Sequence, residues 1–171
     1  MTLYAANAAA NAAANAAANA SAIEQTPHQV SEAALGNRVA PRWEPLRVLL
    51  VEDSAIIREH LIEAIATSPR IKVVGYEETE SGAVEKLQRD ECDVIILDLG
   101  LAEGNGSQVL KSARSDIAYC PVVVVFTNYS NPAQRRKMMK LGADYFLSKS
   151  EDFERLRLIM KGLAAPQGEE D

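Results

Sequence analysis

The sequence predicts an α/β protein: a five-stranded parallel sheet with helices on both faces. Short apolar runs alternate with stretches of helical periodicity, and this alternation with short loops is typical of parallel sheets. The runs are continuously apolar, as strands covered on both faces usually are. The predicted strands are 46–51, 71–76, 92–98, 121–126 and 143–148.

Polar residues mark the ends of the predicted helices. The predicted N-caps of the first four helices are Ser54, Ser81, Ser107 and Asn131. Pro132 suits the first turn of the fourth helix, and Gly142 is expected to end it in the C′ position.

Helical spacing also predicts which residues face the core. In the first helix Ile57, Leu61 and Ile65 are predicted to point inward, whereas Arg58 is predicted to face water. The last helix carries a longer apolar stripe, formed by Phe153, Leu156, Ile159, Met160 and Leu163.

The chain divides into three segments. Residues 1–45 combine a repeat of asparagine and three alanines with a proline-containing linker, and we expect them to be disordered or marginally helical. This segment is interpreted either as a dispensable low-complexity tail or as a docking or self-association segment. Residues 46–164 form the folded domain, and residues 165–171 form an acidic tail.

Composition narrows the class of protein. The net charge of -6 argues against a nucleic-acid-binding surface. Cys92 and Cys120 form no CxxC motif, which indicates reduced structural thiols and a cytoplasmic location. No apolar run approaches the roughly 18 residues of a membrane span. His60 is expected on the surface, and His28 lies in the tail.

Several polar side chains follow the predicted strands. Glu52 and Asp53 follow the first strand, Asp98 the third, Thr127 the fourth and Lys149 the fifth. The carboxyl ends of parallel strands share one edge, where ligands bind in open α/β sheets.

Three carboxylates at one edge favour a hard cation. Two such charges 4 Å apart repel by about 4 kcal/mol at an effective dielectric of 20. A hard divalent cation removes this cost, and Mg²⁺ suits the site because it takes oxygen ligands and retains several waters. With Thr127 and Lys149 binding phosphoryl oxygens, Asp98 could attack phosphorus to give an acyl phosphate.

The pattern resembles the receiver domain of two-component response regulators. The motifs that carry the resemblance are 48–54, Asp98, Phe126 with Thr127, 142–146 and Lys149. They occur in the family's order and spacing over about residues 46–164. The resemblance implies the flavodoxin-like fold with strand order 2-1-3-4-5.

The resemblance also implies residue roles. Asp98 would accept phosphate from a histidine kinase or a histidine phosphotransfer protein. Mg²⁺ would bind Asp53 and Asp98 directly, Glu52 through water, and the carbonyl of Gly100. Thr127 and Phe146 would form the switch pair, and Lys149 would bind the phosphate.

Three positions depart from the family pattern. Ser150 follows Lys149 where members usually have a cis proline, and a cis bond before serine would cost about 2.5–4 kcal/mol, so a trans bond or a strained loop is expected. Asn128 replaces a small residue beside Thr127 and is predicted to restrict access to the phosphorus. Gly100 leaves the other side open. Gly106 keeps the family's glycine.

The resemblance predicts a partner face on the fourth helix, last strand and last helix. Arg135, Arg136 and Lys140 belong to it, and a homodimer would form through the same face. Only about eight residues follow Leu163. We therefore expect a single-domain regulator that contacts an unidentified output protein, without direct DNA or membrane binding, and with no enzymatic activity beyond self-phosphorylation and self-dephosphorylation.

Two alternatives remain open. The first is a receiver-like interaction module that acts without phosphate, for which Asn128 and the Lys149–Ser150 sequence are the support. The second is a Mg²⁺-dependent phosphohydrolase with an aspartyl intermediate. Such an enzyme usually has a second aspartate two residues past the nucleophile, and Gly100 occupies that position.

Overall fold

One parallel sheet forms the centre of the protein. The computed structural model describes residues 44–66 and 68–165. The five strands are β1 (Leu46–Val51), β2 (Ile71–Glu77), β3 (Val94–Leu97), β4 (Val122–Thr127) and β5 (Tyr145–Ser148). Their order is β2-β1-β3-β4-β5, so the predicted fold class and the order implied by the resemblance are confirmed. Residues 1–43, which include the asparagine repeat and His28, and residues 166–171 lie outside the described residues.

Five helices cover the two faces of the sheet. They are α1 (Ala55–Ile65), α2 (Glu80–Arg89), α3 (Gly106–Ser115), α4 (Pro132–Lys140) and α5 (Phe153–Leu163). Helices α1 and α5 supply buried side chains to one core, and α2, α3 and α4 supply them to the other. None of the helices in the described part of the chain is long and apolar enough to cross a membrane.

The strands are apolar on both sides because both sides are buried. In β1, Val48 and Leu50 belong to the core under α1 and α5, while Leu49 and Val51 belong to the other core. All four are at most 1% exposed. The alternation of successive side chains thus feeds two separate cores from one continuous apolar run.

Two aspartates fix the strands at the edge opposite their carboxyl ends. The Asp93 carboxylate, just before β3, accepts the Arg47 N–H at 2.8 Å. The Asp144 carboxylate, just before β5, accepts the Val123 N–H at 2.8 Å and the Arg114 guanidinium at 2.7 Å. These bonds satisfy backbone donors at the start of β1 and β4 and stabilise the register of the sheet.

The N-cap of α1 was predicted correctly, and the next two were wrong. Ser54 accepts the Ile57 N–H. Helix α2 is capped by Thr79 rather than Ser81, because the Thr79 hydroxyl accepts the Gly82 N–H at 3.2 Å. Both residues are good caps two positions apart, so the sequence alone did not separate them.

Helix α3 begins two residues earlier than a cap at Ser107 would allow. Asn105 is the cap, and its side chain accepts the Ser107 N–H at 2.8 Å. The Asn105 N–H in turn donates to Glu80 on α2 at 2.8 Å. This contact between two helices decides the start of α3, and it is invisible in the local sequence.

The last two helices follow the prediction. Asn131 caps α4 by accepting the Gln134 N–H, with Pro132 in the first turn. Gly142 follows the α4 C-cap with φ +99°, a conformation that favours glycine. In α5, Leu156 and Met160 are fully buried.

The two cysteines do not form a disulfide with each other or with another described residue. Cys92 is buried, and its thiol lies 4.0 Å from the Tyr119 hydroxyl. Burial raises the pKa of the Cys92 thiol from 9.0 to about 12. The thiol therefore stays protonated in the folded protein at neutral pH.

This buried thiol should make the protein less stable at alkaline pH. The unfolded chain loses the proton near pH 9.0 and the folded protein only near 12, so the free energy of unfolding falls between these values. From about pH 8 to about pH 10 the loss should be roughly 1.4 kcal/mol for this group. Urea unfolding at both pH values should show this loss in the wild type and in Cys120→Ala, but not in Cys92→Ala. An unchanged pH dependence in Cys92→Ala would contradict the assignment.

Candidate functional site

Four charged side chains meet at the carboxyl edge of the sheet, as the sequence predicts. Glu52 and Asp53 follow β1, Asp98 follows β3, and Lys149 follows β5. The backbone of three of them continues the sheet ladder. The Glu52 N–H donates to the Glu77 carbonyl at 2.9 Å, the Asp98 N–H to Val51 at 2.9 Å, and the Lys149 N–H to Thr127 at 3.0 Å. These residues are therefore held by the sheet itself.

The Lys149 ammonium lies between two carboxylates. Its Nζ is 2.6 Å from Glu52 Oε2 and 2.6 Å from Asp98 Oδ2. The lysine side chain is only 6% exposed, and the two carboxylates are similarly buried. One positive charge, on the residue after β5, thus bridges two carboxylates that follow β1 and β3.

Backbone donors hold the other oxygen of each carboxylate. Glu52 Oε1 accepts the Ser54 N–H at 3.2 Å, and Asp98 Oδ1 accepts the Leu99 N–H at 2.6 Å. Each carboxylate therefore has one oxygen bound by the chain that follows it and one bound by Lys149. This arrangement fixes the orientation of Asp98.

The charges in this cluster do not balance. Burial raises the pKa of Glu52, although the hydrogen bond from Lys149 acts in the opposite direction. Burial alone would lower the pKa of Lys149, but its hydrogen bonds to Asp98 and Glu52 outweigh this effect and raise it. One ammonium faces two buried carboxylates, so Lys149 stays charged and negative charge remains.

Asp53 adds a third carboxylate on the solvent side. One oxygen each of Glu52, Asp53 and Asp98 lies within 4.8 Å of the others. Asp53 is exposed, whereas the other two are buried. A set of carboxylate oxygens around uncompensated negative charge fits Mg²⁺, which prefers oxygen ligands and retains several waters.

A glycine-containing loop brings α3 close to Asp98. A Cβ at Gly106 would collide with the Asp98 carbonyl oxygen and lie 2.9 Å from the Leu99 Cα. Only glycine therefore allows the start of α3 to approach the end of β3 this closely. This close approach is the physical reason why glycine occupies position 106, where the family pattern also has glycine.

An aromatic ring that the sequence analysis did not single out lies beside the acidic cluster. A Cβ at Gly100 would be 3.1 Å from the Tyr129 ring and 4.0 Å from Asp98 Oδ2. Tyr129 is 64% exposed, and its N–H donates to the Thr127 hydroxyl at 3.2 Å. The absence of a side chain at Gly100 leaves room for this ring.

Comparison with protein families accounts for this arrangement. Residues 48–161 match the response regulator receiver domain family. The chain belongs to this family. The resemblance inferred from the sequence is thereby confirmed.

The relatives are longer proteins. The protein-glutamate methylesterase/protein-glutamine glutaminase of Treponema denticola is 31% identical over 116 residues, which are 67% of this chain and 31% of the relative. A protein of the same name from Koribacter versatilis is 30% identical over 68% of this chain and 32% of its own length. This chain thus spans about a third of the relatives it matches.

Solved receiver domains share the fold. The response regulator domain of Thermotoga maritima CheB has a TM-score of 0.61 and 27% identity, covering 74% of this chain and 100% of that one. The signal receiver domain of the response regulator NarL from Mycobacterium tuberculosis has a TM-score of 0.61 and 27% identity, covering 70% and 98%.

The residues expected to form the receiver switch lie near the edge of the sheet. Thr127 ends β4 and is fully buried. Phe146 lies in β5 beside Val125 and is 2% exposed, so its ring points into the core. Asn128, which is predicted to restrict access, is exposed. The Tyr129 ring lies next to Gly100, beside the cluster.

The three cations of the predicted partner face differ in environment. The Arg135 guanidinium lies 5.8 Å from the centre of the Phe146 ring and donates to the Phe146 carbonyl at 3.0 Å. Arg136 and Lys140 are exposed on α4. Arg135 thus links α4 to Phe146, while the other two face solvent.

Arg58 was predicted to face water, and this prediction was wrong. The residue is buried, and its guanidinium donates to the carbonyls of Glu52 at 2.8 Å and Asp53 at 3.3 Å. It also pairs with Glu78 at 2.9 Å and lies over the Tyr76 ring. The guanidinium therefore holds the backbone of Glu52 and Asp53, the acidic loop after β1, through their carbonyl oxygens. Helical periodicity does not reveal such a contact.

Removing the Arg58 donors should destabilise the loop that carries Glu52 and Asp53. Arg58→Met keeps the apolar stem but leaves the Glu52 carbonyl without this donor. The free energy of unfolding should fall by about 1.5–3 kcal/mol, as measured by urea unfolding. Mg²⁺ affinity, measured by calorimetry, should fall as well. Arg70→Met, at an exposed position, is the control, and an equal loss in both variants would contradict this role.

Proposed function

We propose that this protein is a phosphoacceptor response regulator whose phosphorylated residue is Asp98. The observation that carries the proposal is the placement of the Lys149 ammonium 2.6 Å from Asp98, within a cluster of three carboxylates. A buried carboxylate held by a backbone N–H and beside a fixed positive charge is suited to accept a phosphoryl group. The phosphoryl donor is a phosphohistidine on a kinase or a histidine phosphotransfer protein.

The reaction is a transfer from nitrogen to oxygen. An Asp98 oxygen forms a bond to phosphorus while the bond from phosphorus to the donor imidazole nitrogen breaks, and that nitrogen keeps the electron pair. Catalysis of this step requires mainly positioning and neutralisation of charge. Lys149 neutralises one phosphoryl oxygen, and the Thr127 hydroxyl donates to another.

Glu52, Asp53 and Asp98 would hold Mg²⁺, with the Gly100 carbonyl as a further ligand. When bound there, Mg²⁺ neutralises negative charge on the phosphoryl oxygens. The protein's own contribution is to orient the three carboxylates, which Arg58 and the sheet ladder do from the backbone side.

The phosphorylated state is read through protein contacts. Recruitment of the Thr127 hydroxyl to the phosphoryl group would alter the end of β4, the strand that pairs with β5 and places Val125 beside Phe146. Arg135 is bonded to Phe146, so a change there reaches α4. A partner that prefers one of the two arrangements then shifts their populations.

The surface of α4 suits an acidic output partner. A shallow depression of about 370 Å³ is lined by Arg136, Lys137 and Lys140, with Ala133 and Leu141 as its apolar part. The second interaction proposed for this region is a homodimer, formed through the neighbouring face of α4, β5 and α5.

The proposal extends no further than the receiver. The methylesterase and glutaminase activities are named for longer relatives and are not assigned to this chain. Self-phosphorylation and self-dephosphorylation at Asp98 are the only activities proposed, with a cytoplasmic location and without direct DNA binding.

Phosphorylation should depend on Asp98 and on Mg²⁺. Incubation of the full chain with acetyl phosphate and Mg²⁺ should add the mass of one phosphoryl group in intact-protein mass spectrometry. Asp98→Asn should abolish the adduct completely because the amide is not a nucleophile of this kind. Asp90→Asn, at an exposed position, should behave as the wild type.

Two results would count against the proposal. An adduct that persists in Asp98→Asn would place the phosphoryl group elsewhere. If the wild type acquired no adduct and also failed to bind beryllofluoride, the phosphate-independent interaction module would be favoured instead.

Tyr129 should limit access to Asp98. Tyr129→Ala removes the ring beside Gly100, so acetyl phosphate and water reach the site more easily. Both the phosphorylation rate and the rate of loss of the phosphoryl group should rise several-fold, as followed by intact mass over time. Tyr129→Phe keeps the ring and should match the wild type; rates that are equal in all three proteins would refute the role of the ring.

A further inference from the structure

The turn between β5 and α5 carries Lys149, and side-chain hydrogen bonds hold this turn. All described peptide bonds are trans, including the bond between Lys149 and Ser150. Ser150 occupies the position of the rigid proline that often follows this lysine in receiver domains. The conformation of the turn must be fixed in another way if the ammonium is to stay between Asp98 and Glu52.

Asp152 fixes the residue before the lysine. Its Oδ2 accepts the Ser148 N–H at 2.8 Å. In return, the Asp152 N–H donates to the Ser148 carbonyl at 2.9 Å. This reciprocal pair closes the turn on both sides of Lys149.

The Asp152 carboxylate makes this contact and does not cap its own helix. Asp152 is the N-cap residue of α5, yet its side chain caps no N–H of that helix. An N-cap aspartate normally accepts an N–H of the first turn. Here the acceptor is directed to Ser148, and the side chain is 25% exposed.

Ser150, the residue after the lysine, is held by a hydrogen bond between two side chains. Its hydroxyl lies 2.8 Å from the Ser148 hydroxyl. Ser148 itself is buried and pairs with Thr127 across β4 and β5. The exposed Ser150 is thus bonded to a residue anchored in the sheet.

These contacts matter because the lysine side chain is flexible. A free lysine side chain populates many rotamers, so holding it in one costs conformational entropy. The two contacts of 2.6 Å that its ammonium makes require a well-placed Cα as well as a fixed rotamer. The Lys149 N–H supplies one anchor by donating to Thr127, and the turn supplies the others.

We propose that Asp152 and Ser150 are positioning residues for Lys149, holding the β5–α5 turn so that the ammonium lies between Asp98 and Glu52. The consequence for phosphoryl transfer rests on the proposed function. The placement of the ammonium in the resting protein does not, and it can be measured separately.

The first test measures the accessibility of the Lys149 amine. The full chain is treated with a limiting amount of acetic anhydride, and acetylation of each lysine is quantified by peptide mass spectrometry. Asp152→Ala and Ser150→Ala should raise modification of Lys149 several-fold relative to Lys161, an exposed lysine on α5. Asp152→Asn and Ser150→Thr retain an acceptor and a hydroxyl, so they should restore the wild-type ratio.

The controls separate positioning from general loss of structure. Glu154→Ala removes an exposed carboxylate from the same helix and should leave the Lys149 ratio unchanged. Urea unfolding reports whether each variant is folded. If Asp152→Ala does not fold, the Lys149 ratio of Ser150→Ala, a variant at an exposed position, decides the test. An unchanged Lys149 ratio in every folded alanine variant would overturn the proposal.

The second test measures transfer from acetyl phosphate in the same proteins. The alanine variants should be phosphorylated about tenfold more slowly, and the Asn and Thr variants at nearly the wild-type rate. If the wild type is not phosphorylated at all, the proposed function fails, while acetylation still decides the positioning. If the wild type is phosphorylated and the alanine variants react equally fast, the two residues do not position Lys149 for transfer.

Discussion

The contact on which the site depends is the ammonium of Lys149 held between Glu52 and Asp98. A single buried positive charge makes it feasible to keep two carboxylates close together after neighbouring strands. Without it, both would carry the cost of burial and of mutual repulsion. The same geometry leaves negative charge uncompensated, and Asp53 adds to it on the solvent side. The stability of the resting cluster and its attraction for a cation therefore have one origin.

The sheet supplies the precision that this contact needs. Glu52, Asp98 and Lys149 each donate a backbone N–H to a neighbouring strand or its extension, so the site is built on the hydrogen-bond ladder. The loops add finer control from outside the ladder. Arg58 bonds the carbonyls of the acidic loop, and the β5–α5 turn fixes the lysine backbone. Rigid elements carry the charged groups, and side chains from helices and turns orient them.

The sequence predicted the fold and the main site residues because these depend on strong, repeated signals. Continuous apolar strands require cover on both faces, and carboxyl ends of parallel strands must share an edge. The placement of Glu52, Asp98 and Lys149 follows from those two constraints alone. The errors arose where alternatives differ little in energy. Thr79 and Ser81 are both good caps, and a contact to Glu80 decided for Asn105 against Ser107.

What the sequence by itself determined is therefore the order of elements, the covered sheet and the edge at which the charged residues meet. The tertiary structure decided the rest, because each remaining feature depends on a neighbour distant along the chain or on a choice of hydrogen-bond partner. Arg58 is buried because the carbonyls before α1 and the Tyr76 ring receive its guanidinium. Tyr129 reaches the site because Gly100 leaves space for its ring. Asp152 turns away from its own helix because the Ser148 N–H requires an acceptor.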